Sequence, residues 1–438
     1  MAPEASPWRR IRLSDGGRRR ASVAGPLESI EGQVLNQPKP PCNSSNSTST
    51  SAFDSLTVCL VFHLSTKCNL ECAYCNVEAG PRGFRPVLDP HVFEKWLEAF
   101  ASLGPSEIAM QLHGGEPLMV APPVELFAAI ARNTLARFPG TKLTDVAIQS
   151  NGLTLDESRL DSLANAGVRV NISIDGPAAI HDRQRLTARG RGSHRDAVRA
   201  HHRLRARGEN TAVIAVVTDP QDVVPALQFF LEEGFREARM NPMRPEGRAA
   251  TIRNWDDSTF MRNMALEYLR AAKIIAAHNE RCPRVPFVED NLAGLMESLI
   301  DESRGPKGFH WTFLIDDHGD LWAHPGSYGV EALRLTRDEV PNADALRRAL
   351  ALDTFENLAG AGLVPGLQEL RSRLFSVCAE CPSPDFCISY YGRKESAHTT
   401  SPICLWRNEL RSHLEGWLHD TPEEARRIAR SDRGGCLM

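Results

Sequence analysis

The chain has 438 residues, 42% of them apolar and 24% charged, enough for two or three domains with cores of their own. Its 51 basic and 55 acidic residues leave a net charge of −4, so no global field grips nucleic acid. No uninterrupted apolar run approaches the ~20 residues of a membrane-spanning helix. The composition therefore argues against a membrane protein, a nucleic-acid binder and a wholly disordered chain.

Residues 1–55 are rich in Arg, Ser, Pro, Gly and Asn and lack apolar periodicity. They read as a flexible tail, with a basic arm of Arg9, Arg10, Arg12, Arg18, Arg19 and Arg20 as the alternative. No apolar segment follows the Arg9–Arg10 pair, so no export signal is expected, and Cys436 stands one residue too close to the end for a prenylation box.

From residue 57 short apolar runs alternate with longer amphipathic stretches. The runs at 57–64, 107–113, 145–150, 168–174, 211–217 and 236–241 predict strands; the stretches near 90–103, 122–138, 156–166, 193–207, 221–233 and 257–279 predict helices. Six strand–helix units in series imply an α/β fold, a parallel sheet with helices outside, curved into a partial (β/α)6 barrel over residues 56–284. Ligands then collect at the C-terminal strand ends. After residue 285 the rhythm stops. WTFLIDDHGDLWAH (311–324) predicts a hairpin turning at His318-Gly319, helices follow near 343–358 and 366–376, and a last helix runs through about 418. We expect residues 285–420 to form a smaller cysteine-rich domain and 421–438 a tail.

Eleven cysteines are distributed unevenly. Cys68, Cys72 and Cys75 form one tight group, Cys378, Cys381 and Cys387 a second with Cys404 behind it, and Cys42, Cys59, Cys282 and Cys436 stand apart. Clustering of this kind favours metal ligation in a reducing, cytoplasmic compartment over a disulfide framework. Cys59, inside the first strand, reads as a small buried apolar residue. The run KCNLECAYCN places Cys68, Cys72 and Cys75 directly after the first strand, spaced Cys-x3-Cys-x2-Cys. Three soft thiolates on one loop can each hold an iron of a cubane and leave a fourth iron open. A zinc site is the alternative, but zinc normally takes four ligands and no fourth lies close in sequence.

This loop, with Tyr74 before its last cysteine, resembles the signature of the radical SAM superfamily. GGEP (114–117), QSNG (149–152), SIDG (173–176) and HDRQR (181–185) follow in that family's order and close the second, third and fourth strands. The resemblance covers roughly residues 57–250. It implies a 4Fe-4S cluster on Cys68, Cys72 and Cys75 that binds S-adenosylmethionine and cleaves it to a deoxyadenosyl radical. It further implies that Gly114 and Gly115 let the backbone approach the methionine moiety, that Glu116 accepts from its ammonium, and that Ser173 and Arg185 hold its carboxylate and ribose. Asn151 and Asp175 would border the pocket, Asp175 capping a turn as the alternative. His113 and His181 read as satisfied structural histidines, with proton transfer as the other option.

The second group resembles the SPASM extension of radical SAM peptide maturases, which carries two auxiliary clusters. Two of its cysteine positions hold His324 and Tyr391 here, and no cysteine lies between Cys282 and Cys378. The surviving set, Cys378, Cys381, Cys387 and Cys404, suits one fully ligated auxiliary 4Fe-4S cluster, or a structural zinc. Pro325 stands where sulfatase-maturing relatives carry a basic aspartate, so formylglycine formation is not expected. The resemblance implies hydrogen abstraction from a ribosomal peptide, giving a cross-link or another modification. A separate leader-binding protein and a reductase or flavodoxin electron donor are the implied partners. Oxidation or rearrangement of a small natural-product intermediate such as an amino sugar is the alternative, and a non-catalytic cluster-bearing scaffold the third. Trp311, Trp322, Tyr328, Tyr390 and Tyr391 read as core of the small domain or as the lining of a peptide groove.

Overall fold

A computed structural model describes residues 57–82, 85–209, 211–255, 257–300, 311–322, 334–336, 341–344, 346, 392–393, 396–400 and 402–429. The expectations for residues 1–55, for most of the helices near 343–358 and 366–376, and for Cys42, Cys378, Cys381, Cys387, Cys436, His324, Pro325, Tyr328, Tyr390 and Tyr391 lie outside the described residues.

The six predicted strands form within three residues of their expected bounds: β1 (Thr57–His63), β2 (Glu107–His113), β3 (Lys142–Ser150), β4 (Arg169–Ser173), β5 (Val213–Val217) and β6 (Glu237–Pro242). Each pairs in parallel with the next. Between them run α1 (Pro90–Ala101), α2 (Val124–Leu135), α3 (Glu157–Asn165), α4 (Ala178–Gln184), α5 (His194–Ala206) and α6 (Val223–Glu232), with α7 (Ser258–Arg281) after β6. Several helices begin where an aspartate satisfies an orphan backbone N–H: Asp89 accepts from His91, Asp156 from Arg159 and Asp257 from Thr259. Alternate strand residues meet the helices. Leu60 and Phe62 of β1 are fully buried, and the Phe62 ring sits 4.4 Å from Phe93 of α1. The whole forms a mixed α/β fold of the partial-barrel type.

Beyond residue 285 the structure departs from expectation twice. One more strand–helix unit follows, β7 (Val288–Glu289) and α8 (Asp290–Ile300), hidden in sequence because a two-residue strand has no readable period. The hairpin also forms, as β8 (Trp311–Ile315) and β9 (Leu321–Trp322), but does not stand apart. β8 pairs in parallel with β1, giving a nine-stranded sheet in the order β7-β6-β5-β4-β3-β2-β1-β8-β9. The turn is pinned by Asp316, whose carboxylate accepts from His318 N (2.9 Å), Asp320 N (3.0 Å) and Trp322 Nε1 (2.8 Å). Trp96 of α1 donates to Gly319 O at 2.9 Å, anchoring the turn on the barrel. Trp322 is thus core rather than groove lining.

A short antiparallel pair follows, β10 (Gly392–Arg393) with β11 (Ser396–Thr400). The chain then forms α9 (Pro402–Asp420) and α10 (Pro422–Arg426). α9 packs on α7, where buried Trp406 meets Tyr268 edge-on at 5.1 Å. β8, β9, α8 and α9 are thus built onto the barrel, through the β1–β8 pairing and the packing of α9 on α7 and α8. No described helix is long and apolar enough to cross a membrane.

Candidate cluster and cofactor site

The loop after β1 carries Cys68, Cys72 and Cys75, all free thiols, Cys68 buried and the others half-buried. Its outer strand is held by neighbours: Cys68 N donates to Gly80 O (3.1 Å), Glu71 N to Leu186 O (2.8 Å) and Ala73 N to Gln184 O (3.0 Å). From β2, Gly115 N donates to Ser65 O (2.7 Å) and Glu116 N to Lys67 O (2.8 Å). The two glycines are needed here for packing within the chain. A Cβ on Gly114 would lie 2.3 Å from Ser65 O, and one on Gly115 2.2 Å from Lys67 O. Their missing side chains thus admit the cysteine loop's own backbone.

Glu116 likewise works inside the protein. Its buried carboxylate accepts from Ser150 Oγ (3.1 Å), Leu118 N (3.2 Å) and Asn151 N (2.8 Å). It knots the ends of β2 and β3, while burial pushes its pKa up to about 7 against the pull of those bonds. Asn151 reaches on to the cysteine loop: its Nδ2 donates to Asn69 Oδ1 at 2.6 Å and lies 3.8 Å from Cys68 Sγ.

Asp175 is no turn cap. It is 1% exposed and accepts from Tyr74 OH (2.5 Å), Arg185 Nε (2.9 Å) and Val216 N (2.9 Å). The Arg185 guanidinium lies over the Tyr74 ring, 5.5 Å from its centroid. Ser173 accepts from Gln149 Nε2 at 2.8 Å, and Gln149 leaves its buried Oε1 unpartnered. His181 is a structural histidine: Nδ1 accepts from Asp175 N (3.3 Å), Nε2 meets Ser193 Oγ (2.9 Å), and burial pulls its pKa down to about 4. Burial also holds His113 down to about 4, its Nδ1 accepting from Gly114 N at 2.7 Å.

Two residues that pattern reading missed complete the site. Arg248, just beyond β6, donates from Nε to Cys72 O (2.8 Å), from Nη2 to Ala79 O (2.9 Å) and from its backbone N to Cys75 O (3.0 Å). Gly247 precedes it at φ +52°, where a Cβ would strike Cys75 O and Asn76 O, both at 2.4 Å. No sequence signal marks either, since their partners are backbone carbonyls about 170 residues earlier.

The donor set fits an iron–sulfur cluster. Leu70 N lies 3.4 Å from Cys68 Sγ and Ala79 N 3.3 Å from Cys75 Sγ, so backbone donors already address the sulfurs. Burial pushes the Cys68 thiol up to about 12 and Cys72 up to about 11, while Arg185 and Arg248 pull Cys72 the other way. Cys68 and Cys72 are therefore protonated at neutral pH until a metal displaces their protons. Among the described residues no three His, Cys, Asp or Glu side chains converge on a point for one metal ion. Of the second cysteine group the described residues hold Cys404 alone, half-buried in the first turn of α9.

Residues 62–229 match the Radical SAM superfamily. An uncharacterized protein of Synechocystis sp. is 30% identical over 200 residues, 43% of this chain and 48% of that protein. The GTP 3',8-cyclase 2 of Mycobacterium tuberculosis is 32% identical over 192 residues, 40% of this chain and 47% of the enzyme. The chain thus spans about half the length of the curated relatives it matches. The solved structure of native anSMEcpe with bound AdoMet and the Cp18Cys peptide shares the fold at TM-score 0.62 and 16% identity, over 84% of this chain and 99% of that one.

Proposed function

The chain carries a radical SAM domain, and from that premise we propose that it is an enzyme acting on a ribosomally made peptide. The carrying observation is the cysteine loop, fixed to the strand ends by Gly115, Glu116, Asp175 and Arg248. Cys68, Cys72 and Cys75 would hold the cluster. When bound, the cluster supplies the electron that cleaves S-adenosylmethionine to a deoxyadenosyl radical, which abstracts hydrogen from substrate. The chain's own residues do the rest. Glu116 has acceptor capacity left beyond its three bonds for an ammonium. Arg185 keeps guanidinium N–H groups beyond the one given to Asp175, and these suit a carboxylate. Ser173, Asn151 and the unpaired Gln149 Oε1 offer hydroxyl and amide partners to ribose and substrate.

Two observations support a peptide substrate. The fold likeness runs over 99% of a neighbour whose structure holds AdoMet and a peptide. The cysteines Cys378, Cys381, Cys387 and Cys404 retain the ligand set of one auxiliary 4Fe-4S cluster, whose saturated coordination suits electron acceptance. A separate leader-binding protein would then present the substrate. Small-molecule chemistry is the second reading, favoured by the cyclase-named relatives at 32% identity over the same core.

Anaerobic reconstitution tests the assignment. We expect about eight irons per chain, falling to about four when Cys68, Cys72 and Cys75 are changed to Ala together, with loss of S-adenosylmethionine cleavage. Four irons falling to none with one zinc retained would make the C-terminal site structural and remove the electron acceptor. Deuterium transfer into deoxyadenosine from a labelled peptide encoded beside the gene, and not from amino-sugar candidates, would decide the substrate class.

A further inference from the structure

Residues 183–207 contain nine arginines and a single acidic residue, Asp196, in a chain whose net charge is −4. Internal bonds account for five of the nine. Arg183 pairs with Asp222 and Arg185 with Asp175. Arg203 donates to Leu155 O (2.6 Å), Arg205 to Glu233 O (2.8 Å), and Arg207 binds Asp161 at 2.8 Å. The other four, Arg189, Arg191, Arg195 and Arg199, are all exposed. They share one anion, Asp196, at 2.8 Å from Arg191 and 3.4 Å from Arg199. Arg189 and Arg195 have no ion-pair partner among the described residues.

Two of the four, Arg189 and Arg191, lie on a hairpin beside the cysteine loop, and Arg191 and Arg199 are joined through Asp196. The hairpin that carries Arg189 and Arg191 is closed by Thr187 N donating to Arg191 O at 2.9 Å. Its first strand, 184–187, bonds the loop between Cys68 and Cys75, through Glu71 N to Leu186 O, Ala73 N to Gln184 O and the bridge of Leu70 with Thr187. Arg195 and Arg199 continue the face one and two turns along α5. Asp182, which accepts from Ser193 N and His194 N at 2.8 Å, adds a second carboxylate, so the four arginines keep an excess of positive charge, and such a face raises the encounter rate of a negatively charged protein.

We infer that Arg189, Arg191, Arg195 and Arg199 form the docking face for an acidic, low-potential electron-carrier protein that reduces the cluster from the outer side of its loop. The inference rests on the radical SAM reading. One electron leaves the carrier's reduced flavin or iron–sulfur centre and one enters the cluster; no bond forms or breaks.

The test uses the reconstituted protein and the triple variant Arg189→Glu/Arg195→Glu/Arg199→Glu, with a reduced acidic flavodoxin as probe and dithionite as a small reductant. Stopped-flow bleaching of cluster absorbance reads the reduction rate, and flavin-fluorescence titration reads binding. We expect tenfold or slower reduction by flavodoxin at low salt, converging with the parent protein near 0.5 M salt, and correspondingly weaker binding. Dithionite should bleach both proteins equally. Unchanged flavodoxin kinetics, or an equal fall with dithionite, would overturn the inference. Lost retention on an RNA column with flavodoxin kinetics intact would reassign the face to nucleic acid. A parent protein that dithionite cannot bleach would defeat the radical SAM reading itself, and the inference with it.

Discussion

Asp175 joins three parts of the site. It neutralises a buried arginine, accepts the Tyr74 hydroxyl from the cysteine loop and ties β5 through Val216. Asp175→Ala leaves Arg185 buried without its counter-charge, a change that costs about 3–5 kcal/mol. We expect that loss in urea unfolding, together with reduced iron retention after reconstitution. Replacing Arg185 by Met in the same chain should restore a large part of the stability but not the iron, since Tyr74 stays untethered. Equal destabilisation by the single and double variants would show that the ion pair is not the cause.

At the scale of elements, the strands were legible because each is a buried apolar run between polar helices, and the C-terminal strand ends followed from their order. α4, with the sequence AAIHDRQ, was not: seven residues with four polar or charged at its end show no sustained period. The hairpin was legible as a hairpin, but alternation says nothing about which edge a strand joins, so its place beside β1 came only from the structure. The cysteines and GGEP were legible as a motif, whereas the reason for the glycine pair was not, because it depends on the backbone of residues 65–67. α9 offers a test of how the late segment is held. Trp406 is 1% exposed, yet its indole N–H has no partner among the described residues. Trp406→Ala should cost about 3–5 kcal/mol, measured by urea unfolding. Trp406→Phe should cost far less, since it keeps a ring against Tyr268 and removes a buried donor whose burial costs about 1–3 kcal/mol. Comparable losses in the two variants would mean that the ring contact does not anchor the helix.

For the whole molecule, the buried histidines set the response to acid. His113 and His181 are each held near 4, against 6.5 for a free histidine, by burial, and His63 is lowered as well. In this window the unfolded chain binds more protons than the folded one, so stability is lost as pH falls from about 6.5 to about 4. Glu116 acts oppositely: raised to about 7, it is stabilising when protonated and loses that contribution as pH rises from 4.5. Burial also raises Asp222, Glu289, Asp316 and Asp317, and lowers His194, His201 and His278. The share of one histidine is read from its own variant: His181→Gln should flatten the acid slope of the cluster-free chain by about 3 kcal/mol between pH 6.5 and 4. Urea midpoints taken across that range check it, and an unchanged slope would place the acid sensitivity elsewhere.

The position of β8 next to β1 also sets a timetable for synthesis. β1, TVCLVFH, is an apolar strand with one edge open until β8 arrives about 250 residues later. At about 5–20 residues per second the ribosome leaves that edge unpaired for roughly 10–50 s. The strand that leads into the cysteine loop is thus open to pairing with a neighbour throughout that interval, and co-expressed chaperones that cover an apolar edge should raise the yield of folded protein.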